Sequence, residues 1–379
     1  MFALALVAAL AASQPASVPA PGITDLPAVP ARPPARVQTR DEVMAVPPEL
    51  LALLQERVIG PGGSREQQVE RLVALVFDKD GLAVQYDNDR TRTVAETWRD
   101  RRANCLSYTL LFVSLARAAG MDAQVQEVGE VLSWYQDGGV IYSANHVNTG
   151  IRNGIQNQTI DVDRNILVSR SRPRGVDDDR ALAHFHNNRG AELMAEGDLG
   201  GALASLEAAL EEDDRFVPAW NNLGVLLQRL DDTGGARRAL ETGHRLDPDH
   251  ASTLTNLVAL YRRIGEDALA RNHALKLDQI QANDPFHQFM LAMECENRGD
   301  YACAISHYRV AIRIQEGEHQ FHFGLARAYF LDGQPGNAQR ELGRALTLGG
   351  SEQVREVYRR KLDHLRRWQA GEGHALYTP

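Results

Sequence analysis

From residue 183 onward the chain returns to the same residue types every 34 positions. Ala202, Ala236, Ala270, Ala304 and Ala338 are each 34 apart. Leu223, Leu257, Leu291 and Leu325 share that spacing, as do Gly190 and Gly224. A period of this length is one supersecondary unit repeated. The apolar spacing within it is helical, so the unit is a pair of helices. Such a unit cannot bury its apolar face alone and must stack on its neighbours. The small residues mark where the two helices of a pair approach closely, and the larger ones fill the seam. Five units fit between 183 and 352. Beyond them, 353–379 reads as a charged amphipathic capping helix, ending near Gln369, and a tail.

The preceding half has another texture. Met1 to Ser13 is a short apolar run that ends in small residues, including Ala9-Leu10-Ala11. This is the apolar core and cleavage region of a secretory leader, about 1–20, and it predicts an exported, periplasmic or secreted chain. Residues 21–46 are rich in proline and read as an extended linker. Order is expected to resume near Pro47. From there to Gly120 the spacing is helical, with Val69, Leu72, Val73, Leu75 and Val76 on one face and a strong apolar helix from Cys105 to Ala119. The period then changes. Ala123–Val128, Val140–Arg152 and Ile155–Val162 carry β-branched and aromatic residues with partial alternation, which predicts strands, the last two joined at Asn153-Gly154. Arg170 to Asp179 reads as a link between domains. The net charge of −9 argues against bulk nucleic-acid binding. No apolar run approaches the ~20 residues of a membrane span.

Three cysteines are too few for a disulfide scaffold. Cys105 follows Asn104, a good N-cap type, and so stands at a helix N-terminus. Unpaired N–H groups and partial positive charge there favour a thiolate, the reactive form of cysteine. The plainer reading is a small buried core residue. If Asn153-Gly154 are the two loop residues of a tight hairpin, Arg152 faces Ile155 and His146 faces Asp161. Their Cβ atoms would then be about 5 Å apart, which suits a carboxylate that orients an imidazole. A different loop length breaks this register and makes Asp163 the competing orienter.

Cysteine on a helix start, histidine on a strand and aspartate on the next strand, together with Ala95-Glu96-Thr97-Trp98, Arg102-Ala103-Asn104-Cys105 and Leu115 to Ala123, resemble the transglutaminase-like core, a relative of the papain fold. The resemblance covers 47–175 and implies an α+β domain with Cys105, His146 and Asp161 as its triad. It implies acyl transfer or hydrolysis at a peptide or protein amide, through an acyl-enzyme on Cys105. The repeats, with Trp220, Leu223, Gly224, Leu227, Ala236, Leu240 and Pro248 in the second and Gly299-Asp300-Tyr301 in the fourth, resemble the tetratricopeptide family. That implies an all-α solenoid with a protein or peptide partner.

Asn188, Asn222 and Asn256 recur at one repeat position. The family resemblance makes them candidates for binding a peptide backbone; simple repeat consensus is the alternative. Cys295 and Cys303, in the two helices of the fourth repeat, are either a disulfide or two buried apolar residues. His184 with His186, and His319 with His322, read as exposed helical histidines. No Cys/His cluster with metal-ligand spacing and no phosphate loop stands out, so no metal and no cofactor is expected. Two readings remain open. One is an exported cysteine acyltransferase or peptidase whose repeats hold a partner or substrate. The other is a non-catalytic assembly protein with a degenerate first domain.

Overall fold

The computed structural model describes residues 36–128, 134–137, 140–143, 146–153, 156–160, 173–350 and 352–369. The chain divides into two compact units, one through Ala270 and one from Arg271.

The first unit begins with α1 (Arg40–Met44), α2 (Pro48–Leu54), a π-helical turn at Gln55–Ile59, and α3 (Arg65–Phe77). Next come β1 (Gln85–Tyr86), α4 (Val94–Asp100), β2 (Arg102–Ala103) and α5 (Cys105–Ala118). Strands β3 (Asp122–Val128), β4 (Trp134–Asp137), β5 (Val140–Ser143), β6 (His146–Asn153), β7 (Gln156–Ile160) and β8 (Arg174–Gly175) follow. Helical order therefore starts before Pro47. The reason is a capping box at Thr39, whose hydroxyl accepts from the Glu42 N–H while the Glu42 carboxylate accepts from the Thr39 N–H.

Helix α5 is mostly apolar, and all residues from Leu106 to Ala116 are buried. A helix of that kind must be covered all round. Leu50 and Leu54 of α2 and Leu72 and Val76 of α3 share one core with it, as do Val125 of β3 and Val147 and Ile151 of β6. These strands belong to an antiparallel sheet ordered β7-β6-β3-β8. The β6–β7 register differs from expectation. Asn153 pairs with Gln156 and Thr149 with Ile160, so the ladder is offset by two residues. Gly154 and Ile155 lie outside the described residues.

The helix pairs begin with α6 (Asp178–Glu196) and α7 (Leu199–Glu212), then α8 (Val217–Arg229) and α9 (Thr233–Leu246), then α10 (Ala251–Arg263) and α11 (Asp267–Ala282). The division between units falls inside α11. Contacts do not break between the N-terminal domain and the first repeat, because Ala181, Leu182 and Phe185 of α6 lie in the core around α5.

The second unit holds α12 (Pro285–Asn297) with α13 (Tyr301–Ile314), α14 (His319–Leu331) with α15 (Pro335–Leu348), and α16 (Glu352–Gln369). Its interior is aromatic, with Phe289 against both Tyr308 and Phe321. Cys295 and Cys303 form a disulfide that joins α12 to α13, with Cα atoms 5.8 Å apart. Among the described residues, no helix is long and apolar enough to cross a membrane.

The 34-residue period has a backbone cause. Between the two helices of each pair one residue is left-handed: Gly197, Asp231, Gly265, Gly299 and Gly333, again 34 apart. Glycine takes this conformation without steric cost, and Asp is among the few other residues that tolerate it. The next residue caps the second helix; Asp198, Asp232 and Asp300 accept the N–H three residues on. The five alanines of the period are all buried. Gly190 and Gly224 lie under Leu206 and Leu240, where an added Cβ would come within 2.7 and 2.5 Å of the leucine Cγ.

The histidines expected on the surface are buried instead. Polar partners offset their desolvation. His184 Nε2 meets Glu127 Oε1 at 2.8 Å, His322 Nδ1 meets Glu341 Oε2 at 2.8 Å, and His319 Nδ1 meets the Tyr358 hydroxyl at 2.8 Å.

Glu318 caps α14 and accepts from the Gln320 N–H, yet it is only 3% exposed. Burial outweighs that bond and the nearby His322 and pushes its carboxyl up to about 7. A raised carboxyl pKa means that the folded state holds the proton longer than the unfolded chain does. Its stabilising contribution is therefore complete below about 4.5 and lost as pH rises through about 7, a change on the order of 3 kcal/mol. Glu318→Gln should be more stable than wild type at pH 8, with the gap closing towards pH 4.5. Urea unfolding of both proteins across that range checks this; a gap independent of pH would refute it.

Candidate functional site

The start of α5 is built from buried polar groups. Asn104 is its N-cap, and its Oδ1 accepts from the Ser107 N–H and hydroxyl, each at 2.9 Å. Its amide donates to the Thr91 hydroxyl at 2.7 Å. The Ser107 hydroxyl accepts from the Arg92 N–H at 2.7 Å, and the Arg92 guanidinium binds Asp87 at 2.8 Å. The Thr91 N–H donates to Glu192 Oε1 of α6 at 2.7 Å. Burial pushes the Glu192 carboxyl up despite its pairing with Arg189. One continuous hydrogen-bonded chain thus runs from the Cys105 helix to the first repeat.

Cys105 is half-buried and carries a free thiol. The backbone reaches it from α4 through a left-handed Arg101, whose guanidinium stacks 3.7 Å from the Trp98 ring centre. One turn into α5, the Thr109 hydroxyl sits 2.8 Å from the Cys105 carbonyl and 3.2 Å from the Val147 carbonyl of β6. His146 is the residue before Val147 and pairs with Val128 at the end of the β3–β6 ladder. The Thr109 hydroxyl thus links the Cys105 turn to the β6 residue that follows His146. The His146 side chain lies outside the described residues, and so does Asp161.

The second anchorage between sheet and repeat is charged. Burial alone would raise the Glu127 carboxyl, but the His184 hydrogen bond and the nearby Arg180 and Arg174 hold it below the usual range. Arg117 of α5 grips Asp178 of α6 with two bonds of 2.9 and 2.8 Å.

The repeat asparagines form a ladder. Asn256 donates to Asn221 at 2.8 Å, Asn221 to Asn222 at 3.3 Å, and Asn222 to Asn187 at 2.9 Å. Asn222 and Asn256 therefore each commit an N–H inside the array. In the first repeat the rung is Asn187, and Asn188 is half-buried beside it.

A cluster missing from the sequence-based expectation lies in the second unit. The donor atoms of Cys295, Cys303 and His307 are all within 4.8 Å of one another. Cys303 and His307 are four apart on one helix, which was the available signal. Cys295 reaches them only through the turn at Gly299.

Asn104→Ala should cost about 2–3 kcal/mol, since it removes an N-cap and strands the Ser107 and Thr91 groups it satisfies. Chemical denaturation measures this, and a loss below about 0.5 kcal/mol would show that the network is dispensable.

Residues 193–261 match the tetratricopeptide repeat family model. No curated protein sequence matches the chain. Among solved structures, a MamA protein is 17% identical with a TM-score of 0.25, covering 52% of this chain and 98% of its own. YrrB, described as a tetratricopeptide repeat protein with an unusual peptide-binding site, is 18% identical with a TM-score of 0.26, covering 47% and 92%. A tetratricopeptide repeat protein from Parabacteroides merdae is 20% identical with a TM-score of 0.26, covering 50% and 73%. Likenesses at that level carry no weight for ligand or mechanism. The family match and the helix pairs with their 34-residue turns stand on their own, and this chain carries tetratricopeptide repeats.

Proposed function

We propose that this chain is a protein-interaction module whose tetratricopeptide repeats hold an extended segment of another protein, with the N-terminal domain as their fixed end. The family match over 193–261 is the observation that carries this reading. Repeat arrays of this kind present extended surfaces on which a peptide can lie. The disulfide and the apolar N-terminal run both suit an exported chain. Asn188 is the informative position, because the ladder runs through Asn187 and leaves the stacking intact when Asn188 is changed. Peptides selected from a random library on the full chain should lose binding by about 10-fold in Asn188→Ala, or roughly one charge-neutral hydrogen bond's worth of affinity. The thermal transition should stay unchanged. Failure to select any peptide, or equal binding by the variant, would remove this reading.

A second reading keeps chemistry at Cys105. It is favoured by the half-buried thiol at the start of α5 and by Thr109, which ties that turn to the backbone beside His146. In it, Cys105 attacks an amide carbonyl, His146 takes the thiol proton and returns it to the leaving amine, and water or another amine releases the acyl group. In this reading Asp161, or Asp163 in its place, orients the imidazole. Alkylation of Cys105 across pH tests this. Alkylation at neutral pH faster than that of an unperturbed thiol, and slowed in His146→Ala, supports it. An ordinary thiol profile would leave only the interaction module.

A further inference from the structure

We propose that Cys295, Cys303 and His307 form a thiol-gated zinc site in the fourth repeat, closed while the disulfide stands and open when it is reduced. All three donor atoms already lie within 4.8 Å of one another. Two thiolates and one imidazole are a zinc-type donor set, and three protein ligands leave one tetrahedral position for water or a further ligand.

The surroundings of each donor fit that role. The His307 Nδ1 lies 2.8 Å from the Gln288 amide oxygen. The Gln288 nitrogen faces the Gln281 and Ala282 carbonyls at 3.4 and 3.5 Å, which fixes the oxygen towards the ring. An amide oxygen only accepts, so Nδ1 carries the proton and Nε2 keeps its lone pair. Metal-binding histidines are held in this way, with the second ring N–H given to an acceptor. Cys303 sits in the first turn of α13, and its own N–H is bonded to Asp300 at 3.0 Å. Cys295 is buried, and the Arg298 guanidinium donates to its sulfur at 3.5 Å.

The chemistry balances with a dithiol as the reductant. The dithiol gives two electrons and two protons to the Cys295–Cys303 bond and leaves as its own disulfide. The two freed thiols then bind zinc with release of one proton each, and Nε2 of His307 enters as a neutral ligand. Either cross-link, S–S or S–Zn–S, ties α12 to α13. The exchange therefore alters a ligand position on the repeat without unpinning its two helices.

The test uses the full chain, reduced without oxygen by a phosphine that is then removed. Cobalt(II) serves as the optical probe and zinc as its competitor. The reduced chain should bind one cobalt with thiolate-to-metal charge-transfer and tetrahedral d–d absorption, and zinc should displace it. The oxidised chain should bind none. Cys303→Ser should abolish the charge-transfer band's two-thiolate intensity, and Cys105→Ser should leave it unchanged. Gln288→Leu keeps all three donors, yet should weaken zinc by about 10–100-fold through the freed tautomer. No band in the reduced chain, a band that survives intact in Cys303→Ser, or equal zinc affinity in Gln288→Leu and wild type would overturn the proposal.

Discussion

A helix buried on every side is the constraint on which the N-terminal domain depends. Every residue of α5 from Leu106 to Ala116 is buried. Water is excluded only if α2 and α3, the sheet strands β3 and β6, and α6 all pack against it. Each of those elements has one apolar face, and α5 supplies the surface on which those faces meet. The polar groups at the start of α5 follow from the same burial. Once that end is inside, its N–H groups must find partners, and Asn104, Thr91, Ser107 and Glu192 meet the requirement among themselves.

The repeats obey a different logic. Their stability is local, set by a left-handed turn restated every 34 residues, an acidic cap in three of the pairs and a glycine under a leucine in the first two. Asp231 is the exception at the turn, and its presence shows that the position selects for conformation rather than for glycine as such. The N-terminal domain and the repeats are thus stabilised by unlike means. The domain has a continuous apolar core around α5; the repeats rely on contacts between neighbouring helices, with an aromatic interior and one disulfide in the second unit.

The repeat half was legible because its determinants are local and periodic. Ala202, Ala236 and their equivalents mark burial directly, and Gly299-Asp300-Tyr301 marks both the turn and the cap. What failed to show were features that depend on residues distant in the chain. His184 and His322 look like surface residues until Glu127 and Glu341 arrive to hold them. Glu192 gives no hint of Thr91, about a hundred residues earlier. The β6–β7 register departs by two from the one that Asn-Gly implies, because pairing along the whole of both strands, and not the turn residues alone, fixes it. At the candidate site, the start of α5 and its asparagine cap were readable, whereas the Thr109 tie to β6 was not.

The sharing of α6 bears on how such a chain can change in evolution. Ala181, Leu182 and Phe185 are core residues of the N-terminal domain and at the same time part of the first repeat. A repeat array needs its first apolar face covered, and here the preceding domain covers it. Duplication or loss of a 34-residue module can therefore occur among the later repeats without touching the α5 core. The first repeat has no such freedom: deleting it would uncover that core, so it should be inherited with the domain and not with the array.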